Sequence, residues 1–261
     1  MAVFVAFSDE SAVGDSQGTF LMGGYVADEK RWPCIVEAWQ DRVLNGPPKI
    51  PYLHMIEIRD GDWRKEFGIT YNDTENRVSE AVRVMFSSGA VSAIGAHLRR
   101  GDLADTIQCR LRAEGQRIPV GLNEPDYLCF LAYARLCLGR IHEDHPDVER
   151  VDFVISRKKK VSQHIGTFHE HLKALLSPPL DGFAGHLMPG EMKDHLPLQM
   201  ADLLFWHMQR HFAGKMSRVD ENRLWYLGEA RGALHEITRG QLDQLADSFV
   251  TMVRTHKAHV R

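Results

Sequence analysis

Two adjacent carboxylates, Asp9 and Glu10, close a short apolar run, Met1-Ala2-Val3-Phe4-Val5-Ala6-Phe7, within the segment Ser8-Asp9-Glu10-Ser11. A run this short and this rich in Val and Phe reads as a buried strand. Ending such a strand in carboxylates costs desolvation free energy unless a cation, a proton or strong donors meet them. Side chains alternate along a strand, so Asp9 and Glu10 point to opposite faces, and one of them looks toward whatever covers the sheet. The carboxyl end of a central strand is where open α/β folds place a ligand or a metal.

The rest of the chain supplies the frame for that strand. With 261 residues, 44% of them hydrophobic and 26% charged, it supports one sizeable globular core. The formal net charge of −3 announces no global affinity for nucleic acid, although a local basic patch is compatible with it. Cys34, Cys109, Cys129 and Cys137 show no CxxC spacing, so reduced thiols in a cytoplasmic protein are expected and a zinc site is not. The N-terminal run lacks the basic flank of a signal peptide, and no stretch approaches the length of a membrane span.

Pattern along the chain predicts a mixed α/β order. A strand at about 3–8 pairs in a hairpin with a second at 18–26. A helix carries Trp32, Ile35, Val36, Trp39 and Val43 and stops at Asn45-Gly46-Pro47-Pro48. A helix over 73–87 leads to a strand over 90–97, and the apolar stretch 125–141 reads as a buried helix. A strand over 151–156, a helix from about 161 to 176 and a short strand near 183–188 follow. A strong helix then runs from Leu198 to Phe212, and an amphipathic one over 240–256 ends the chain. One domain is expected over 1–261, with a core of about 3–212 and a C-terminal helical extension of about 213–261. The last helix suits a homodimer interface as well as it suits the core.

The second informative segment is Leu196-Pro197-Leu198-Gln199-Met200-Ala201-Asp202-Leu203-Leu204. Proline in the first turn presets the helix. Helical spacing then sets Asp202 on one stripe with Leu198 and Phe205 or Trp206. A carboxylate there is either exposed at the stripe's edge or buried for a reason, and taken alone Asp202 reads as a solvated or capping residue. The helix N-terminus favours its ionised form by only about 0.3–1 kcal/mol, too little to offset full burial. A divalent cation shared with a second acid would suffice. Phosphoryl-transfer sites need such hard oxygen ligands, with room left for water and phosphate. Trp206 itself reads as core packing.

The order of Phe7-Ser8-Asp9-Glu10-Ser11, Gly23-Gly24-Tyr25-Val26, His54 and Leu198-Gln199-Met200-Ala201-Asp202-Leu203 resembles a bacterial and phage family catalogued as domain of unknown function 3800. The resemblance spans roughly residues 3 to 212. It implies a ribonuclease H-like fold, a mixed five-stranded sheet flanked by helices, and by fold analogy a metal-dependent nuclease. Matched residue by residue, Asp9 is the first-strand acid and Asp202 the late-helix acid, together expected to bind Mg²⁺ or Mn²⁺. Glu10 holds the second position of the opening motif. His54 is a ligand, a phosphate contact or a proton donor.

Two departures from the family pattern stand out. Ala12 replaces the usual Gly after Asp-Glu-Ser, a small change of turn chemistry. More seriously, the strand that often ends in an acid here ends in Ser156. Asp152 shares its face but lies roughly 13 Å back along the strand. Glu57, Glu191 and Asp194 are the remaining candidates to complete the site.

Arg157-Lys158-Lys159-Lys160 follows at once, either a contact to a phosphate backbone or a solvated charge run. No Walker loop, dinucleotide-binding glycine motif or nucleophile elbow appears. The chain is therefore expected to be a metal-dependent nuclease acting on nucleic acid, with no membrane partner. The competing expectation is a catalytically silent module of the same fold that binds nucleic acid or protein.

Overall fold

The structure, a computed structural model, describes residues 2–12, 18–89, 92–113, 115, 124–156, 169–170, 172–173, 176, 178–228 and 232–259, without the side chains of 252–259. The apolar N-terminal run forms β1 (Ala2–Ala12), which returns as β2 (Thr19–Asp28). Helices α1 (Trp32–Trp39), α2 (Met55–Arg59), α3 (Gly61–Glu66) and α4 (Tyr71–Ser88) precede β3 (Ser92–Arg99). The short helices α5 (Arg100–Leu103) and α6 (Cys109–Ala113) lead toward the long α7 (Pro125–Asp144). Then come β4 (Val148–Ser156), β5 (Ala184–Gly190), α8 (Leu196–Phe212), α9 (Arg218–Gly228), β6 (Ala233–Ile237) and α10 (Arg239–His259). Local chemistry explains several starts. Thr70 and Asp73 bond reciprocally as a capping box for α4, and Pro197 occupies the first turn of α8.

The expected five strands are six, in the order β5-β4-β1-β2-β3-β6. β2 is antiparallel to both its neighbours, whereas the β1–β4, β4–β5 and β3–β6 pairs are parallel. The sixth strand comes from within the segment expected to be a helical extension. It has only five residues and no fully buried position, so its hydrophobic signal is weak. The helix expected from about 161 to 176 lies largely outside the described residues.

Strand parity divides the interior in two. Phe4, Ala6, Met22, Phe153 and Ile155 pack under α7, and Leu242 and Ala246 of α10 join that core. On the other face Phe7, Leu21, Tyr25 and Val154 pack under α8, with Trp39, Met55 and Val78 outside it. Each fully buried Leu, Met or Phe stabilises the fold by about 1.5–3 kcal/mol. No helix among the described residues is long and apolar enough to cross a membrane.

The α8 face has a floor without side chains. A Cβ on Gly24 would lie 3.0 Å from the Cβ of Ala201, and one on Gly23 or Gly95 would lie 2.8 or 2.9 Å from Cζ of Phe205. Glycines at these points let the helix settle close to the middle strands. The same glycines decide where Asp202 is delivered.

Candidate active site

Asp9 shares the α8 face with Phe7, two residues earlier on β1, and is only 4% exposed. Its cross-strand partner on β2 is Gly23. On the other side Ser8 is level with Ile155, so continuing the parallel register by one residue sets Asp9 beside Ser156, which in turn pairs with Gly190. The carboxyl ends of β1, β4 and β5 thus meet on one line. Above it, Leu198 approaches Gly190, Ala201 lies over Gly24 and Phe205 lies over Gly23. Asp202, one residue past Ala201 and one turn before Phe205, is 7% exposed. The two acids separated by most of the sequence are therefore both buried where α8 meets the sheet, Asp9 on the strand face that α8 covers and Asp202 on α8 itself.

Asp202 is held by a third element. Its Oδ2 accepts from the backbone N–H of Met55 at 2.7 Å, capping the first turn of α2 from outside that helix. Its Oδ1 lies 3.9 Å from Nε2 of His54, and Nδ1 of His54 lies 3.5 Å from Oε1 of Glu57. The structure therefore places His54 beside Asp202, and Glu57 beside His54. A charge-assisted bond to an N–H is one of the stronger hydrogen bonds in a protein and accounts in part for a buried carboxylate here.

One turn earlier, Gln199 is fully buried and fixes the same loop. It accepts from the Trp39 indole at 3.1 Å and from the Leu53 N–H at 3.0 Å, and it donates to the Met192 carbonyl at 2.9 Å. Replacing Gln199 by Leu keeps the volume but strands two donors and one acceptor in a dry interior. Urea denaturation of Gln199→Leu is expected to show a loss of about 3–5 kcal/mol. Near-neutral stability would mean that the 52–55 segment is not held by this side chain.

Other expected members fall elsewhere. Glu10 stands on the opposite face, opposite Met22 and under α7. There burial, with the carboxylates of Asp126 and Glu10, pushes the Cys129 thiol up. The sheet separates Glu10 from Asp9, so it cannot act with Asp9 on one substrate atom. Asp152 is also away from the site, accepting from the His186 N–H at 2.8 Å and facing Nε of Arg150 at 3.2 Å. Glu191 is the exception, following Gly190 at the end of β5 on the line of the site, and like Asp194 it is exposed in the turn before α8. Arg157, Lys158, Lys159 and Lys160 lie outside the described residues.

Among the described residues, no group of three or more His, Cys, Asp or Glu side chains is placed to hold a metal ion. Two carboxylates with a neighbouring hydroxyl, Ser156, are hard oxygen donors. They suit a hydrated Mg²⁺ or Mn²⁺ that keeps several waters and takes the rest of its oxygens from substrate.

The outer side of α8 carries a polar network that the sequence did not announce. His207 is fully buried, its Nδ1 2.8 Å from the Leu203 carbonyl and its Nε2 3.9 Å from Asp220. Burial pushes its pKa down to about 4, against the opposing pull of the Leu203 bond and of Asp220. Burial raises Asp220, but the Ser217 bond and His207 outweigh it and hold that carboxyl below its usual range.

A histidine depressed in the folded state contributes stability above its unfolded pKa and loses it on acidification. From about pH 6.5 down to about pH 4, His207 should remove about 3 kcal/mol of native stability. Denaturation midpoints across that range should fall steeply in the wild type and less in His207→Gln. Equal slopes would remove His207 from the acid response. Trp206 packs against the α8-face core as expected but is only half-buried, with the guanidinium carbons of Arg59 and Arg210 at 5.0 and 4.9 Å from its ring centre.

Comparisons with protein-family models, with curated proteins and with solved structures returned no match.

Proposed function

We propose that the chain is a divalent-metal-dependent phosphodiester hydrolase of ribonuclease H-like architecture, with Asp9 and Asp202 as its metal ligands. The observation that carries this reading is the burial of both acids where α8 covers the sheet, Asp9 at the carboxyl end of a central strand and Asp202 on the helix above it. A mixed sheet with helices on both faces supports the architecture. Bound there, Mg²⁺ or Mn²⁺ would orient a water for in-line attack and neutralise charge on the phosphodiester.

The chain's own residues supply the remainder. Asp9 fixes one side of the site from the rigid sheet, and Asp202 fixes the other from α8. His54 lies between Asp202 and Glu57, a position from which it passes a proton to the departing oxygen as the P–O bond breaks. Gln199 holds the His54 loop in register with α8.

The second reading is a silent module of the same fold that binds nucleic acid or protein. It is favoured by Ser156 at the level of Asp9 and by the capping bond of Asp202, which gives that acid a structural role without any metal. Labelled single- and double-stranded DNA and RNA, incubated with Mg²⁺ or Mn²⁺, separate the two readings. Cleavage by the wild type that disappears in Asp9→Asn supports the hydrolase. No cleavage of any substrate, or cleavage that survives Asp9→Asn and Asp202→Asn alike, sinks it.

A further inference from the structure

Large apolar side chains exposed to solvent gather on one side of the molecule. Ile56 of α2, Tyr71 and Phe86 of α4, and Val219, Trp225 and Tyr226 of α9 are 41–65% exposed. They form one surface. Ile56, Tyr71 and Val219 rim a cleft of about 620 Å³, and the Tyr226 ring stands edge to face with those of Phe86 and Trp225, at 5.1 and 4.9 Å. Beneath them Arg223 pins α9 to α4, donating to Glu75 and to Ser79, each at 2.8 Å.

Area and charge both bear on what covers this face. An aromatic side chain offers roughly 150–250 Å² for burial, so six large side chains about half exposed present roughly 600 Å². That is at the top of what a monomer shows in one patch and near the roughly 800 Å² per partner of a stable interface. The charges around the patch are closed among themselves. Arg59 is bonded to Glu75, Arg210 faces Asp220 at 3.5 Å, and Arg223 lies 2.8 and 3.6 Å from those two acids. Such a face offers no handle to a strongly acidic or basic partner. It can meet a second copy of itself without like-charge repulsion.

We propose that the α4–α9 face is the interface of a two-fold symmetric homodimer. The outer stripe of α9 has the symmetry this requires. Arg218, Val219, Asn222, Trp225 and Tyr226 are exposed at the i, i+1, i+4, i+7 and i+8 positions of one helix face. Antiparallel alignment of two α9 helices about Asn222 sets Val219 against the partner's Tyr226, an apolar contact. The same alignment sets Arg218 against the partner's Trp225, a cation over an aromatic ring. Asn222 meets its own copy on the axis, a lone polar pair that fixes register. Tyr71 shares the cleft with Val219, and Phe86 contacts Tyr226, so the two-fold also brings Phe86 toward the partner's Tyr71. The C-terminal helix α10, by contrast, buries Leu242 and Ala246 of its apolar stripe in the core of its own chain.

Sedimentation velocity of the full chain at micromolar concentration, in EDTA, tests this without any metal or substrate. The wild type should sediment with twice the chain mass. Tyr226→Glu should weaken the dimer about a hundredfold and Trp225→Ala about tenfold. Both positions are exposed, so circular dichroism should show unchanged folding. Asn222→Cys puts two thiols on the axis and should give a reducible covalent dimer under mild oxidation. The wild type, whose exposed Cys34 and Cys109 lie elsewhere, should not.

A monomeric wild type would assign the face to a different partner and overturn the proposal. A dimer that survives Tyr226→Glu undiminished would place the interface elsewhere and overturn it too, as would failure of Asn222→Cys to cross-link. None of these outcomes depends on whether the chain cleaves a phosphodiester.

Discussion

Gly23→Ala is expected to destabilise the protein by about 3–5 kcal/mol, enough to deplete the soluble folded protein. Gly23 lies in the middle of β2, paired with Asp9 on one side and Gly95 on the other. A Cβ there would stand 2.2 Å from the carbonyl oxygen of Ile94, 2.5 Å from Cα of Gly95 and 2.8 Å from Cζ of Phe205. Two of those neighbours are backbone, which cannot rotate away as a side chain does. Its φ of +155° adds a conformation that alanine adopts with strain. Relief requires parting β2 from β3 and lifting α8, which disperses the core under that helix.

Gly139 of α7 is the contrast, because a Cβ there meets nothing within 4 Å. Gly139→Ala should stabilise by about 0.5–1 kcal/mol through helix propensity. Thermal unfolding followed by circular dichroism reads both variants. A mild Gly23→Ala would show that the close seat of α8 on the sheet is not obligatory.

Asp202→Asn should abolish metal-dependent cleavage, by at least a hundredfold, while leaving the fold nearly intact. The amide keeps an oxygen that accepts from the Met55 N–H, now 2.7 Å from Oδ2, so α2 stays capped. What disappears is the charge. A neutral amide is a far weaker partner for Mg²⁺ than a carboxylate. Asp202→Ala differs instructively, since it also removes the cap and strands the Met55 donor, at a cost of about 1–3 kcal/mol. If Asp202 serves only as a cap, the Asn variant should match wild type in every assay and the Ala variant should be merely less stable. Activity and unfolding measurements on the pair tell metal ligation from architecture.

The positions of Asp9 and Asp202 stand out in the sequence because their signals are local. A carboxylate at the end of a short apolar run, and another one turn inside an apolar helix, both stand out against their neighbours. Strand parity alone also puts Asp9 and Glu10 on opposite faces, and the structure gives only Asp9 to the α8 side. The meaning of Gln199 was hidden, because its partners Trp39 and Leu53 are 160 and 146 residues away and no periodicity encodes a hydrogen bond at that range. Trp206 packs on the core as its position suggests, but its outer surroundings were hidden for a related reason. Helical spacing gives the stripe a residue occupies, but not that arginines from α2 and from α8 itself flank it. β6 escaped because an edge strand of five residues, three half-buried and two exposed, carries little hydrophobic alternation.

Asp9 is the residue on which the functional account turns, since it faces α8 from the rigid centre of the sheet and Ser156 stands where a third acid would help it. Isothermal titration of Mn²⁺ into wild type and Asp9→Asn, each shown to be folded by circular dichroism, addresses it most directly. The account predicts saturable binding by the wild type that Asp9→Asn loses by at least a hundredfold in affinity. Equal affinity in the two proteins, or no saturable Mn²⁺ binding by the wild type, would contradict it.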